Sequence, residues 1–400
     1  MLDWSKQAKK QKKQKFNAVL NKNHPPYIEA GDFILKKIGS LFLILALLIS
    51  VPFSTEAGAG AFLVMDGRTQ TVLEERNGEL TLPMASTTKI MTALIVLEKV
   101  NLNEIVEIPQ EAVGVEGTSL YIKKGEKYTV EELLYGLMLQ SANDCAEALA
   151  WYAGKGNVSS FVDQMNAKAK SLGLKNTKFA NPSGLPDKEH YTTAHELALI
   201  MFYAMKNQEF RKITAAAQYK IHDKTIVNHN KLLKLYPNCI GGKTGYTMAA
   251  GRCLVSVAER RGVSLICVTL GIRDDWNIHT NAYEKWFGKT KERTLDEAGD
   301  FSVRLRVAGG GEGIATNCNK VCAKLFDAEK NVSKKVIADN FIYGNKESGD
   351  VVGTVEYWCG PCKISESPLV LTEPIETEVK KDLFITGIIR FFRRLLLKKE

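Results

Sequence analysis

The chain lacks three features that would assign it quickly to a common class. It has only six histidines, and neither His190 nor His195 has a Gly-x-Ser-x-Gly serine turn beside it, which argues against a hydrolase of that type. Gly242-Lys243-Thr244 is not preceded by the first glycine of a phosphate loop, and no helix pattern follows it. The charge-free apolar run 38–53 has sixteen residues, fewer than the roughly twenty of a typical membrane-spanning helix.

Excess charge is also missing from most of the chain. The net charge of +9 comes from the ends, with +6 in residues 1–37 and +5 in residues 380–400, which leaves −2 between them. Basic ends on a nearly neutral chain favour contact with a membrane surface, so no nucleic-acid partner is predicted. A hydrophobic content of 45% over 400 residues allows a large core and about two to three domains.

The two ends predict export and attachment to the cytoplasmic membrane. Residues 1–37 form a basic leader expected to stay cytoplasmic, and residues 38–60 form either a cleaved signal peptide or an uncleaved anchor. Over residues 376–400, helical spacing puts apolar side chains on one side and most basic side chains on the other, which predicts an amphipathic helix lying in the membrane interface. The protein is therefore expected on the outer face of that membrane.

The stretch around Ser86 is the first candidate for chemistry. Ser86 and Lys89 lie three residues apart at the start of an apolar run of helical spacing, so both are expected on one helical face. A buried lysine loses its proton more easily and can then activate a serine hydroxyl. The alternative is a serine that caps the helix beside a solvated lysine.

Two further motifs follow in order. Ser141-Ala142-Asn143 stands between two helix patterns, and Lys243-Thr244-Gly245 enters a strand pattern that two more strand-like runs follow, 253–258 and 264–270. An apparent hairpin at 61–73 comes before the helices, so the fold class is expected to be α+β or α/β with a largely antiparallel sheet.

The three motifs together resemble the D-alanyl-D-alanine carboxypeptidases, the low-molecular-mass penicillin-binding proteins of serine peptidase family S11. The resemblance covers roughly residues 61–372 and includes Phe179-x-Asn181-Pro182-x-Gly184-Leu185. It implies a β-lactamase/transpeptidase-like catalytic domain over 61–295, with an antiparallel sheet and a helical subdomain. A small β-sandwich domain is implied over 300–372.

The same resemblance implies the chemistry and the partners. Ser86 would attack the penultimate D-alanine of a peptidoglycan stem peptide, Lys89 would take its proton, and Ser141 would pass a proton to the leaving amine. Substrate binding is implied for Asn143, Lys243, Thr244, Gly245 and Tyr246, with the N–H groups of Ser86 and Tyr246 as oxyanion hole. Arg273 is a weaker candidate for the terminal carboxylate. β-Lactam antibiotics are expected to acylate Ser86, and no cofactor or metal is assigned.

Several alternatives stay open. A class A β-lactamase is disfavoured by Ala142 and by the predicted β domain and C-terminal helix, and a penicillin-acylated sensor without turnover is the other possibility. Cys145, Cys253 and Cys267 fall in apolar patterns and are expected to be buried. Cys318-x3-Cys322 and Cys359-x2-Cys362 are interpreted as thiols, disulfides or a zinc site.

Overall fold

The computed structural model describes residues 60–376, which lie within one compact unit, Gly58–Glu400. The predictions for the leader, for nearly all of the apolar segment and for the C-terminal amphipathic helix fall outside the described residues. Over 60–376, none of the helices has both the length and the apolar character needed to cross a bilayer.

A five-stranded antiparallel sheet forms the centre of the first domain, in the order β2-β1-β9-β8-β7. Its strands are β1 (Ala61–Asp66), β2 (Val72–Arg76), β7 (Cys239–Thr247), β8 (Gly251–Arg260) and β9 (Val263–Leu270). Successive residues of β8 point to opposite faces: Val255 and Val257 belong to the main hydrophobic cluster, and Leu254 belongs to a second cluster on the other face. Because β7 is an edge strand, one of its sides is left without a neighbouring strand in this sheet.

Helices cover both faces of the sheet, as the predicted α+β architecture requires. They are α1 (Lys89–Lys99), α2 (Val130–Tyr135), α3 (Asn143–Ala153), α4 (Val158–Ser171), α5 (Ala194–Ala204), α6 (Gln208–Ala215), α7 (Leu232–Leu235) and α8 (Asp275–Phe287). Helices α1 to α6 share the main core, whereas α7 with Leu232 and α8 with Tyr283 and Phe287 belong to the second cluster on the opposite face. A capping box starts α2, since Thr129 and Glu132 accept each other's backbone N–H groups.

Two small hairpins complete the catalytic domain. They are formed by β3 (Ile105–Glu107) with β4 (Lys127–Thr129) and by β5 (Gln218–Ile221) with β6 (Lys224–Val227). The second hairpin leads into the loop Asn228–Lys231, which borders the site described below.

The second domain consists of strands alone within the described residues. A five-stranded antiparallel sheet has the order β11-β12-β16-β15-β14, and β10 pairs with β13 beside it. The strands are β10 (Lys291–Asp296), β11 (Ser302–Arg306), β12 (Glu312–Asn317), β13 (Val321–Leu325), β14 (Val332–Ala338), β15 (Val351–Cys359) and β16 (Cys362–Leu371). The expected boundary at residue 295 falls inside β10, which pairs with β13.

The Cys359-Gly360-Pro361-Cys362 segment is a hairpin turn and not a redox motif before a helix. Cys359 and Cys362 are cross-strand partners at the tip of the β15–β16 hairpin. The tip touches the catalytic domain, where a Cβ on Gly360 would come within 2.5 Å of the Thr69 carbonyl oxygen. All eight cysteines are free thiols, and residues 60–376 contain no group of three His, Cys, Asp or Glu placed to hold a metal. The zinc interpretation therefore has no support in this part of the chain.

Candidate active site

Ser86 lies in a 3-10 turn, Ala85–Thr88, that continues directly into α1. Ala85 has a φ of 47°, a left-handed conformation that a side chain makes costly by about 1–3 kcal/mol. The turn leaves Ser86 half-buried in the wall of a cavity of about 490 Å³, while its neighbours Thr87 and Thr88 are buried. The hydroxyl of Ser86 is thus presented to a space large enough for part of a peptide.

Lys89 is fully buried, and its ammonium group touches Ser86. Its Nζ donates to Ser86 Oγ at 3.0 Å, to Asn143 Oδ1 at 2.7 Å and to the Ser183 carbonyl oxygen at 2.6 Å. Burial lowers the pKa of Lys89 well below its usual value, and the positive charge of Lys243 lowers that pKa further. The prediction that Ser86 and Lys89 share one face of a turn is confirmed, and the alternative of a solvated lysine is wrong.

The loop 179–185 supplies one of the acceptors that hold Lys89. Asn181 Oδ1 accepts the backbone N–H groups of Ser183, Gly184 and Leu185, which orders the loop so that the Ser183 carbonyl faces Lys89. Gly184 lies so near that a Cβ there would come within 2.0 Å of the Ala85 carbonyl oxygen. The loop 179–185 and the turn that carries Ser86 therefore pack closely against each other.

Ser141 and Asn143 stand where a π-helical turn, Gly136–Gln140, meets α3. Ser141 lines the cavity and has a φ of 62°. This left-handed backbone conformation is strained, and such strain is common at functional sites. Asn143 is buried, with Oδ1 on Lys89 and Nδ2 donating to the Glu116 carbonyl at 2.6 Å. In this structure both ends of the Asn143 amide are thus engaged with the protein.

Asp144 supports the opposite rim of the cavity. This buried carboxylate accepts the hydroxyl of Ser119 at 2.5 Å and the backbone N–H groups of Leu120 and Ile122. These bonds fix the loop that carries Thr118, a lining residue of the cavity. Sequence analysis did not single out Asp144; its position directly after the Ser141 motif is the signal that could have identified it.

Strand β7 brings the third motif to the same cavity. Lys243 is buried, donates to the Thr244 carbonyl oxygen at 2.9 Å, and has a pKa lowered to about 7 by its burial. A Cβ on Gly245 would lie 3.0 Å from Ser86 N, so the strand passes in direct contact with the backbone of Ser86. Thr214 Oγ1 fixes the start of the strand by bonding both the N–H and the carbonyl of Gly242.

The structure brings all eight predicted site residues into one region. Ser86, Ser141, Thr244, Gly245 and Tyr246 line the cavity. Lys89, Asn143 and Lys243 are buried. Lys89 donates a hydrogen bond to Ser86 and another to Asn143.

Arg273, the weaker candidate, is exposed and does not line the cavity. Another arginine, which the sequence patterns did not indicate, does line the cavity. Arg252 lines the cavity from β8, opposite Tyr246, and Asp275 fixes its guanidinium through Nε at 3.1 Å and Nη2 at 2.8 Å. The guanidinium also lies over the Trp276 ring at 5.4 Å. Its cross-strand position becomes visible only once β7 and β8 are paired in register.

The histidines do not form a second catalytic group here. His190 is buried, bonds Thr88 Oγ1 through Nε2 and accepts the Ala180 N–H at Nδ1; burial lowers its pKa to about 4, so it is neutral at pH 7. His229 does line the cavity, and burial together with the charge of Lys243 lowers its pKa. His195 pairs with Glu79 at the surface.

Comparison with known proteins places this geometry in a family. The family model for D-alanyl-D-alanine carboxypeptidases matches residues 49–274. The D-alanyl-D-alanine carboxypeptidase DacF of Bacillus subtilis is 28% identical over 355 residues, which cover 84% of this chain and 89% of DacF. DacB2 of Mycobacterium tuberculosis is 39% identical over 223 residues, covering 54% of this chain and 76% of that protein.

The solved structures agree with the sequence relatives. Penicillin-binding protein 5 from Haemophilus influenzae superimposes with a TM-score of 0.60 at 25% identity, over 80% of this chain and 97% of that one. The predicted fold class, a transpeptidase-like catalytic domain followed by a β domain, is therefore confirmed. The chain belongs to the D-alanyl-D-alanine carboxypeptidase family, peptidase family S11.

Proposed function

We propose that this chain is a serine-type D-Ala-D-Ala carboxypeptidase that removes the terminal D-alanine from peptidoglycan stem peptides through an acyl-enzyme on Ser86. The observation that carries the proposal is the 3.0 Å contact between Lys89 Nζ and Ser86 Oγ at the wall of the cavity. A base within hydrogen-bonding reach is what a serine hydroxyl needs to act as a nucleophile at neutral pH.

Acylation begins when the neutral amine of Lys89 takes the proton of Ser86. The lowered pKa of Lys89 favours the neutral amine, and Asn143 and Ser183 hold the amine beside the hydroxyl. Ser86 Oγ then bonds to the carbonyl carbon of the penultimate D-alanine. The N–H groups of Ser86 and Tyr246 receive the negative oxygen, a contribution of about 3–4 kcal/mol for each donor in comparable enzymes.

The leaving D-alanine needs a proton on its amine and a site for its carboxylate. Ser141 passes the proton, and Lys243 supplies positive charge behind it from its buried position on β7. Thr244 and Arg252 hold the carboxylate, since both line the cavity and Asp275 keeps the guanidinium in place. Water then hydrolyses the ester on Ser86 and restores the enzyme.

β-Lactams share the acylation step and are proposed to bind Ser86 covalently. A class A β-lactamase would instead deacylate quickly, and a sensor would acylate without peptide turnover. The presence of Lys89, Ser141 and Lys243 favours an enzyme that turns over peptide rather than a sensor. The β domain that follows the catalytic domain disfavours a class A β-lactamase.

We also propose that the protein works on the outer face of the cytoplasmic membrane. The basic leader with its apolar segment supports export, and the basic amphipathic pattern of 377–400 supports attachment through the interface.

The enzymatic proposal is tested with the unit 58–400 and a stem pentapeptide that ends in D-Ala-D-Ala. Free D-alanine is expected from the natural sequence and not from Ser86→Ala, whereas Ser183→Ala, a nearby hydroxyl that is not proposed to react, should retain release. Rapid hydrolysis of penicillin without D-alanine release would indicate a β-lactamase.

A further inference from the structure

The β domain carries an exposed aromatic pair for which the carboxypeptidase reaction has no use. Phe341 and Tyr343 are 39% and 65% exposed, and their rings meet edge to face with centroids 6.4 Å apart. With Val351, which is 62% exposed, they line a surface cavity of about 250 Å³. We call Phe341, Tyr343 and Val351 the aromatic patch.

The patch is held rigidly from below. Ile342, between the two aromatic residues, is buried; its N–H donates to the Arg306 carbonyl at 2.8 Å, and its own carbonyl accepts the Ala308 N–H at 2.9 Å. Because neighbouring residues of an extended segment point to opposite sides, pinning Ile342 directs Phe341 and Tyr343 away from the domain. The two rings are thus presented outward by a fixed backbone.

The patch also lies where the C-terminal segment leaves the domain. Lys346, which lines the same surface cavity, pairs with Ile375 through two backbone hydrogen bonds of 2.9 and 2.8 Å. Val379, the first apolar residue of the amphipathic pattern, follows Ile375 by four positions, and four steps of chain span at most about 14 Å. If the amphipathic segment lies in a bilayer interface, Ile375 is therefore within about 14 Å of that interface, and its partner Lys346 lies at the edge of the patch.

We propose that the aromatic patch of the β domain is a second membrane contact, which inserts Phe341 and Tyr343 into the interface of an anionic phospholipid bilayer beside the C-terminal segment. The inference rests on the proposed membrane attachment and deepens it. Aromatic side chains are favoured at the boundary between headgroups and hydrocarbon, where a tyrosine can keep its hydroxyl in water. Asp339 and Lys346 flank the patch with opposite charges, so neither attraction to nor repulsion from anionic lipid dominates at its edge.

The contact has a physical consequence for the enzyme. Attachment through the C-terminal segment alone leaves the orientation of the β domain to the bilayer undetermined, whereas a second contact fixes that orientation. The pairing of Lys346 with Ile375 would transmit that orientation to the whole domain.

The test uses the unit 58–400, which lacks the apolar N-terminal segment, with vesicles of phosphatidylcholine and phosphatidylglycerol. We expect Phe341→Ser/Tyr343→Ser to bind about tenfold more weakly than the natural sequence, because partial burial of two aromatic rings is lost. The control, Tyr121→Ser/Leu235→Ser, removes two apolar side chains of the catalytic domain that are 79% and 59% exposed, and it should bind normally. D-Alanine release by all variants reports on folding.

A direct readout is Tyr343→Trp with vesicles that contain brominated phosphatidylcholine. Quenching of the added tryptophan, beyond that of the natural sequence, is expected. If Phe341→Ser/Tyr343→Ser binds the vesicles as tightly as the natural sequence and only Phe384→Glu/Ile388→Glu loses binding, the patch is not a membrane contact. The proposed attachment through the C-terminal segment would still stand. Failure of the natural sequence to bind any of these vesicles would overturn the attachment and the patch together.

Discussion

Replacing Lys89 by methionine separates its chemical role from its structural one. Methionine has nearly the same length and fits an apolar environment, but it cannot take a proton. A general base typically contributes a factor of about 10² to 10⁴, equal to about 3–5 kcal/mol of transition-state stabilisation. We therefore expect penicillin to acylate Ser86 at least about 100 times more slowly in Lys89→Met than in the natural sequence.

The effect on stability should be much smaller. Asn143 Oδ1 and the Ser183 carbonyl lose their donor, at about 1–3 kcal/mol each, but the cost of burying an ionisable amine disappears. We expect the free energy of unfolding to fall by no more than about 3 kcal/mol. Lys99→Met, at the exposed end of the same helix, is the matched control.

Stopped-flow acylation with a fluorescent penicillin, combined with urea unfolding, measures both quantities. A folded Lys89→Met protein that is acylated at the natural rate would refute the assignment of Lys89 as the base. Loss of folding in Lys89→Met would move the test to Lys89→Gln, which keeps a donor for the Asn143 and Ser183 acceptors.

Three further changes test the rest of the site. Because burial lowers the pKa of Lys243 to about 7, kcat/KM for the pentapeptide should fall as the pH rises through 7 and the positive charge of Lys243 is lost. In Lys243→Arg, the fall in kcat/KM should occur at a higher pH. A fall at the same pH in Lys243→Arg would exclude Lys243 as the group that titrates. Gly245→Ala places a methyl group 3.0 Å from Ser86 N, so acylation should slow about tenfold or more in the same penicillin assay; an unchanged rate would show that the contact is not needed. Arg252→Gln should raise KM about tenfold in a D-alanine release assay while Arg273→Gln leaves it unchanged, and the reverse order would restore Arg273 as the carboxylate ligand.

Local patterns in the sequence were enough to predict the elements that carry the chemistry. Ser86 and Lys89 are one turn apart, so their contact follows from helical geometry alone, and the capping box at Thr129 is equally local. The order of the three motifs supplied the fold class through the family resemblance. Contacts between distant segments had no such local signal.

The acceptor that completes the Lys89 site is the clearest example. Ser183 lies 94 residues after Lys89, and no periodicity links a loop carbonyl to a buried amine. Arg252 was missed for a related reason, because its approach to the cavity depends on the register of β7 with β8. The position of Cys359 and Cys362 at the tip of a hairpin depends on the pairing of β15 with β16, which was not predicted.

The strand Lys291–Asp296 shows the same limit. Its pairing with Val321–Leu325 is a contact between distant segments, and no local pattern in the sequence indicates it.

The most direct test of the central claim is mass spectrometry of the unit 58–400 after brief incubation with penicillin, together with D-alanine release from the pentapeptide. We expect one adduct on the peptide that contains Ser86, and release of D-alanine that disappears in Ser86→Ala. An adduct on another residue, or D-alanine release that survives in Ser86→Ala, would contradict the central claim.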